Sequence, residues 1–210
     1  MEPPQRWEHL ICVTNRHLAA EAAGIRDADS ETGRKAFLSQ LQRVMDVRPH
    51  AVILREKDLD EASYRLLAER VLARCRAAQV PCIFHTYPSV ARELDADGLH
   101  LPLPLLRKLS EDERQKFSTL GASCHSVEDV MEAQSLGCTY VTVGHIYKTA
   151  CKPGIPPRGL ALLCSCVQVS SIPMFAIGGI TRKHLPDVLH AGAAGACVMS
   201  GCMCGNPAAW

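Results

Sequence analysis

The sequence predicts a single (β/α)8 barrel of the TIM type over residues 1–210, and three observations carry that expectation. Short apolar, β-rich runs recur eight times along the chain. Stretches with the 3.6-residue apolar period of helices lie between them. The runs are mostly apolar rather than alternating, as parallel strands buried on both faces should be. Alternating strands and helices argue for a parallel sheet. Eight repeats of the unit favour closure; an open sheet of six or seven strands is the rival if one run is misread.

The elements follow in order. The first run is 9–14 (HLICVT). From Thr14 to Gly33 no clear period follows, and this is the longest uncertain stretch. Residues 34–45 place Phe37, Leu38, Leu41 and Met45 on one stripe. The second run is 51–55, followed by a helix over 60–78 that Asp60 or Ser63 caps. Leu66, Leu67, Val71, Leu72 and Cys75 are expected on its inner face. Runs at 81–85, 97–101 and 119–123 come next. Residues 126–137 start on Ser126 as a cap, carry Asp129 in the place of a capping-box acid, and stop at a glycine. Runs at 139–144, 173–178 and 195–200 complete the set, with helical patterns at 160–168 and 183–192. Pro186 is tolerable only in a first turn. Residues Gly201–Trp210 are too few for a full final helix. A barrel wall left thin there fits a homo-oligomer, a dimer or higher, with a partner subunit covering it; a longer native chain is the alternative.

Composition narrows the function classes. Hydrophobic residues make up 47% and charged residues 21%, enough for one sizeable core. The formal net charge of +1 provides no global basic field, so nucleic acid is not expected as a partner. No apolar run reaches the roughly 18–20 residues of a membrane span. The opening MEPPQRWEHL lacks the apolar stretch of a signal peptide, which predicts a cytoplasmic protein. Eleven cysteines are unlikely partners in disulfides there. Cys12, Cys82 and Cys197 sit in apolar runs and read as small buried hydrophobes. Cys164 with Cys166 and Cys202 with Cys204 are spaced more tightly than zinc ligands usually are.

Barrel sites form at the C-terminal ends of the strands. Those ends carry Thr14 and Asn15, Arg55 and Lys57, His85 and Thr86, His100, Ser123 and His125, Gly144 and His145, Gly178 and Gly179, then Ser200 and Gly201. Barrel phosphates often bind the loops after strands seven and eight. AIGGIT and VMSG stand there, and glycines let backbone N–H groups approach an anion. A tight turn alone would also use a Gly-Gly pair. Arg55 and Lys57 in LREKD read as a second anion contact, or as a solvated strand end paired with Glu56 or Asp58. Thr149 and Lys152 in KTACKPG are further candidates on what is otherwise an ordinary exposed loop. His85, His100, His125 and His145 suggest a metal, but carboxylates are missing from these ends and none is expected. His100 reads equally as a packed, hydrogen-bonded residue. His125 is either an idle helix-start residue or a general acid/base, since histidine titrates near neutrality.

The stretches ILREKD, ADGLHLP, GASCHSVEDVMEAQSLGCTYVTVGHIYKTACKPGIPPRG and IPMFAIGGITRKHLPDVLHAGAAGACVMSG together resemble the thiamine phosphate synthase superfamily. The block from Gly121 to Gly159 is the most specific, and within the superfamily it looks most like the thiazole tautomerase branch, historically described as a regulator of extracellular enzyme production. The resemblance implies that synthases hold magnesium with an Asn-Asp pair after strand three and a Gln-x-Asp after strand four. Here those positions are His85-Thr86 and Leu103-Pro104-Leu105, and Ile53 replaces a usual Gln.

The tautomerase branch needs no metal and no cofactor. Its implied reaction aromatises a carboxylated dihydrothiazole phosphate, a small-molecule substrate. The family's histidine falls on His125 as general acid/base. Gly178, Gly179, Ser200 and Gly201 would hold the phosphate. Arg55, Lys57 and Lys152 would supply positive charge, and Ser123 and Thr149 hydrogen bonds. A thiamine phosphate synthase with an altered metal site, and a non-catalytic phosphate-ligand binder with a regulatory role, are the alternatives.

Overall fold

The computed structural model describes residues 7–209. Its eight parallel strands run in sequence order and close into a barrel. They are β1 Trp7–Val13, β2 Pro49–Leu54, β3 Cys82–His85, β4 Gly98–Pro102, β5 Leu120–Cys124, β6 Tyr140–Gly144, β7 Met174–Ile177 and β8 Gly195–Val198. Each expected run is a strand, and the open-sheet rival is excluded. The helices are α1 Arg16–Ala22, α2 Glu31–Asp46, α3 Glu61–Ala78, α4 Pro88–Glu93, α5 Leu103–Leu106, α6 Glu111–Arg114, α7 Val127–Ser135, α8 Gly159–Val169, α9 Leu185–His190 and α10 Ser200–Met203. Among the described residues no helix is long and apolar enough to cross a membrane. The chain packs as two compact units, one of β1 to β3 with the residues from Val198 onward, the other Asp97–Cys197.

In the first unit, the unassigned stretch after Thr14 holds α1. Asn15 caps it by accepting the Leu18 N–H at 3.0 Å. Its seven residues are too few to show a period. Ser30 caps α2, accepting the Gly33 N–H at 3.0 Å. Asp60 caps α3 as expected. The buried seam of α3 is Tyr64, Ala68, Val71, Leu72 and Cys75. Leu66 was expected on that face and is instead 61% exposed. A stripe through positions 64, 68, 71 and 75 leaves position 66 pointing away. The aligned leucines drew the expected face too wide, and Tyr64 is the larger inward residue. Its hydroxyl donates to the Leu54 carbonyl at 2.7 Å and accepts the His85 N–H at 3.0 Å, so one side chain ties the ends of β2 and β3.

Among the described residues after β8 come the single turn α10 and a short 3₁₀ turn at Pro207–Ala209. The buried Gln40 of α2 holds this segment, with Nε2 donating to the carbonyls of Cys202 (2.5 Å) and Gly205 (2.9 Å).

In the second unit, register places His100 opposite Gly121 and Gly121 opposite Tyr140. Pro102, Ser123 and Thr142 form the next row on the same faces. Ser126 caps α7, accepting the Asp129 N–H at 3.2 Å. Pro186 lies in the first turn of α9, where it breaks no helical bond.

Candidate active site

The cations at the end of β2 stand beside a buried ionic cluster that the sequence reading did not identify. Arg16 is only 3% exposed, at the start of α1. Its guanidinium grips Asp58 with two bonds of 2.7 Å and Asp29 with bonds of 2.8 and 3.1 Å. Nη1 also reaches Glu56 at 3.3 Å. Glu56 is buried as well; it accepts the Thr14 hydroxyl at 2.7 Å and the Arg16 N–H at 3.1 Å. The Thr14 oxygen in turn accepts the Arg55 N–H at 2.9 Å. Glu56 and Asp58 are both engaged with Arg16, and Asp58 with His17 as well.

The chain leaves extended geometry after Leu54, and Lys57 begins a turn. Arg55 is half-buried and Lys57 exposed. The cluster thus sets the backbone from which both side chains project.

The charges in the cluster respond to different forces. The Arg16 hydrogen bonds hold the Asp58 carboxyl well below its ordinary range, and that of Asp29 below it as well. Burial pushes the Glu56 carboxyl up, against the bonds from Thr14 and Arg16. Burial alone would weaken the Arg16 charge, but Asp58 and Asp29 raise it on balance. Asp58, lowered in the folded state, adds stability above the unfolded carboxylate value of about 4, and that stability is lost as pH falls through the folded value. Glu56, raised, works in the opposite sense as pH rises. Asp58→Asn is expected to flatten the acid limb of the stability curve, read by urea unfolding across acidic pH.

In the second unit, His125 follows β5 directly and is half-buried. Asp129 does not close the expected capping box on Ser126. Its carboxylate accepts the His125 N–H at 2.7 Å, one residue earlier. The imidazole Nδ1 lies 2.7 Å from the Gly144 carbonyl oxygen at the end of β6. A carbonyl only accepts, so Nδ1 carries the proton and the neutral ring keeps its lone pair on Nε2. The helix start and the neighbouring strand end therefore hold a base of defined tautomer.

Gly178 and Gly179 follow β7 with φ of 98° and 67°. A Cβ at Gly178 would strike His145, and one at Gly179 the backbone of Tyr147 and Lys148. The carbonyls of Ile177 and Gly178 accept the N–H groups of Ile146 and Tyr147, both at 2.9 Å. The glycines let the β7 loop lie against the β6 loop, beside the carbonyl that holds His125. Gly179→Ala is expected to cost about 1–3 kcal/mol from its backbone conformation alone, and more from the clash. Gly137→Ala, at φ 84° in open space, is the control for the first part. Thermal unfolding of the two variants separates the contributions.

Thr149 and Lys152 form a turn in which the Lys152 N–H donates to the Thr149 carbonyl at 3.2 Å; Thr149 is half-buried and Lys152 exposed. Ser123 is half-buried and lies 2.9 Å from His100 Nε2. His100 is buried with both ring nitrogens engaged, as its packed reading anticipates. In the first unit, Ser200 is exposed at the start of α10 and Gly201 half-buried. Of each C-x-C pair one thiol is buried and one exposed; burial lifts Cys166 to about 11.

The positions that resemblance assigns to magnesium do not suit that ion. The His85 ring nitrogen pairs with the Thr86 hydroxyl. After β4, Leu103 and Leu106 turn their side chains inward from α5. Neither place offers the carboxylate oxygens a hard divalent cation needs.

The family-model and curated-sequence comparisons agree on one family. A family model described as thiamine monophosphate synthase matches residues 24–202. The thiamine-phosphate synthase of Roseiflexus castenholzii is 34% identical over 174 residues, covering 80% of this chain and 75% of the relative. That of Thermus thermophilus is 35% identical over 162 residues, covering 76% and 77%. Among solved structures, thiamine phosphate pyrophosphorylase from Pyrococcus furiosus superposes with a TM-score of 0.76 at 22% identity, covering 97% of this chain and 91% of that one. With the barrel closed, and the match spanning β2 to β8, the chain belongs to the thiamine monophosphate synthase family.

Proposed function

We propose that the protein is a metal-independent tautomerase that aromatises a carboxylated dihydrothiazole phosphate. The observation that carries this reading is the His125 ring, with Nδ1–H spent on the Gly144 carbonyl and Nε2 left as the base. Nε2 takes the proton from the ring carbon bearing the carboxylate. The electron pair of that C–H bond moves through the conjugated ring to the exocyclic vinylic carbon. The imidazolium, its second N–H still on the carbonyl, returns a proton there. One C–H bond breaks and one forms, so no co-reactant is required. The ring gains aromaticity, and the enzyme has only to speed a favourable step.

Arg55, Lys57 and Lys152 supply the positive charge that a dianionic substrate calls for. Backbone N–H groups of Gly178 and Gly179, with those of Ser200 and Gly201, are assigned to the phosphate on the strength of the family resemblance and the glycine conformations. Ser123 and Thr149 are assigned as hydrogen-bonding contacts.

The second reading is synthesis of thiamine phosphate, favoured by the names of the relatives. Against it stand the side chains at His85-Thr86 and Leu103-Pro104-Leu105. A proton NMR time course in D₂O separates the two. Aromatisation of the dihydrothiazole faster than in buffer supports the tautomerase. An unchanged rate, with magnesium-dependent pyrophosphate release from the two thiamine precursors, supports the synthase and ends the first reading.

A further inference from the structure

Three side chains in the second unit form a line from the barrel interior to the mouth where His125 sits. Tyr140 of β6 and His100 of β4 are both buried, at 5% and 3% exposed. The Tyr140 hydroxyl lies 2.9 Å from His100 Nδ1, and His100 Nε2 lies 2.9 Å from the Ser123 oxygen. Gly121 stands between the first two in register, and its missing side chain is what lets them meet. A Cβ there would fall on the Tyr140 ring and within 2.6 Å of His100 Nδ1. Ser123 is two residues further along β5, on the same face and nearer the C-terminal end.

The chain of bonds has a direction. Burial pushes the Tyr140 phenol well above its ordinary value, so it keeps its proton. Among the described residues its hydroxyl meets one polar partner, His100 Nδ1. If Nδ1 carried the proton, Tyr140 would accept from it and its own O–H would be stranded in an apolar site. With Tyr140 donating to Nδ1, the imidazole proton goes to Nε2, and Nε2–H donates to the Ser123 oxygen. The Ser123 hydroxyl proton is then directed away from His100, toward the mouth. Phe175 packs edge-on against Tyr140, with ring centroids 6.1 Å apart, and holds the phenol in place.

We propose that Tyr140 and His100 are positioning residues that fix Ser123 as a hydrogen-bond donor to the anionic substrate beside His125. The identity of that substrate rests on the tautomerase reading; the direction of the bonds does not. Negative charge builds on the carboxylated ring as its proton leaves, and a donor already aimed at it needs no reorganisation. The same serine in the opposite sense would present only lone pairs and repel that charge.

Two measurements test this. In ¹⁵N-histidine-labelled protein, assigned with His100→Gln, the His100 ring is expected as the Nε2–H tautomer, and Tyr140→Phe is expected to lose that single tautomer. A wild-type Nδ1–H tautomer overturns the proposal, whatever reaction the protein performs. In steady-state aromatisation, Ser123→Ala and Tyr140→Phe are each expected to lower kcat by about tenfold with KM within about twofold, and the double variant to be no slower than Ser123→Ala alone. His100→Gln, whose amide still donates to Ser123, is expected to keep more activity than His100→Leu at equal thermal stability. Additive losses, or a Tyr140→Phe enzyme as fast as wild type, overturn the relay. Absence of aromatisation in the wild type ends the tautomerase reading, and the ¹⁵N spectrum still decides the relay.

Discussion

His125→Ala is expected to slow aromatisation by about 10²–10⁴-fold, the usual contribution of a general acid/base. In the proposed mechanism the loss belongs in kcat, because there His125 would act on the proton in flight rather than on the phosphate. The fold should survive: the ring is half-buried, and among the described residues the bond from its Nδ1 to Gly144 is the one side-chain interaction at risk. Its main-chain bond to Asp129 does not involve the ring. Unchanged thermal unfolding together with the collapse of kcat would separate a chemical role from a structural one. His125→Gln is the sharper variant, since its amide can donate to the Gly144 carbonyl but cannot accept and return a proton. A His125→Ala enzyme that aromatises substrate at the wild-type rate would remove the mechanism proposed above.

The largest stability effect is expected at Arg16→Leu. Removing the guanidinium strands Glu56, a carboxylate with a side chain only 2% exposed, while Asp29 and Asp58 at 58% and 51% can turn to water. Breaking a buried pair from one side typically costs about 3–5 kcal/mol. For a chain of this size that corresponds to a fall in Tm of roughly 10 °C. Glu56→Gln should cost less, about 1–3 kcal/mol, because it leaves no buried carboxylate: its one amide oxygen can still accept from Arg16, while its amide nitrogen takes the place of the oxygen that accepts the Thr14 hydroxyl. The double variant Arg16→Leu, Glu56→Leu is expected to recover part of the loss, since no buried charge remains uncompensated. Urea unfolding of the three variants checks the order. Equal midpoints for Arg16→Leu and wild type would mean that Glu56 finds solvent or a proton without cost.

Much of this was legible in the residues, for physical reasons that also mark its limits. Apolar runs identify strands because both faces of a parallel barrel are buried, and caps such as Ser126 and Asp60 mark helix starts because they satisfy otherwise open N–H groups. The helices α1, α4, α5, α6 and α10 are too short for a 3.6-residue period to appear. Leu66 misled because hydrophobicity alone does not say which of two adjacent stripes turns inward. At the site, His125 and the glycines stand out by residue type and strand-end position. Glu56 and Arg16 pass as surface charges until the chain folds back and brings together residues 40 positions apart. The sequence does hold a faint signal for them, an arginine two positions after the first apolar run and an acid between two cations in LREKD. Tyr140 resembles any β-sheet aromatic, and only the register across Gly121 reveals its partner.

The Gly144 carbonyl has one more consequence, for how the protein can diverge. The tautomer of His125 is held by an oxygen that every amino acid carries, not by an aspartate or asparagine that a single codon change could remove. Drift in the surrounding side chains can therefore reshape the pocket and retune which ligand it admits while the base keeps its form. Families built this way should tolerate wide variation around an invariant imidazole. If His125 is the base proposed above, a mutational scan should find the one lesion that abolishes aromatisation at position 125, with losses of only about tenfold at Ser123 and the residues that position it.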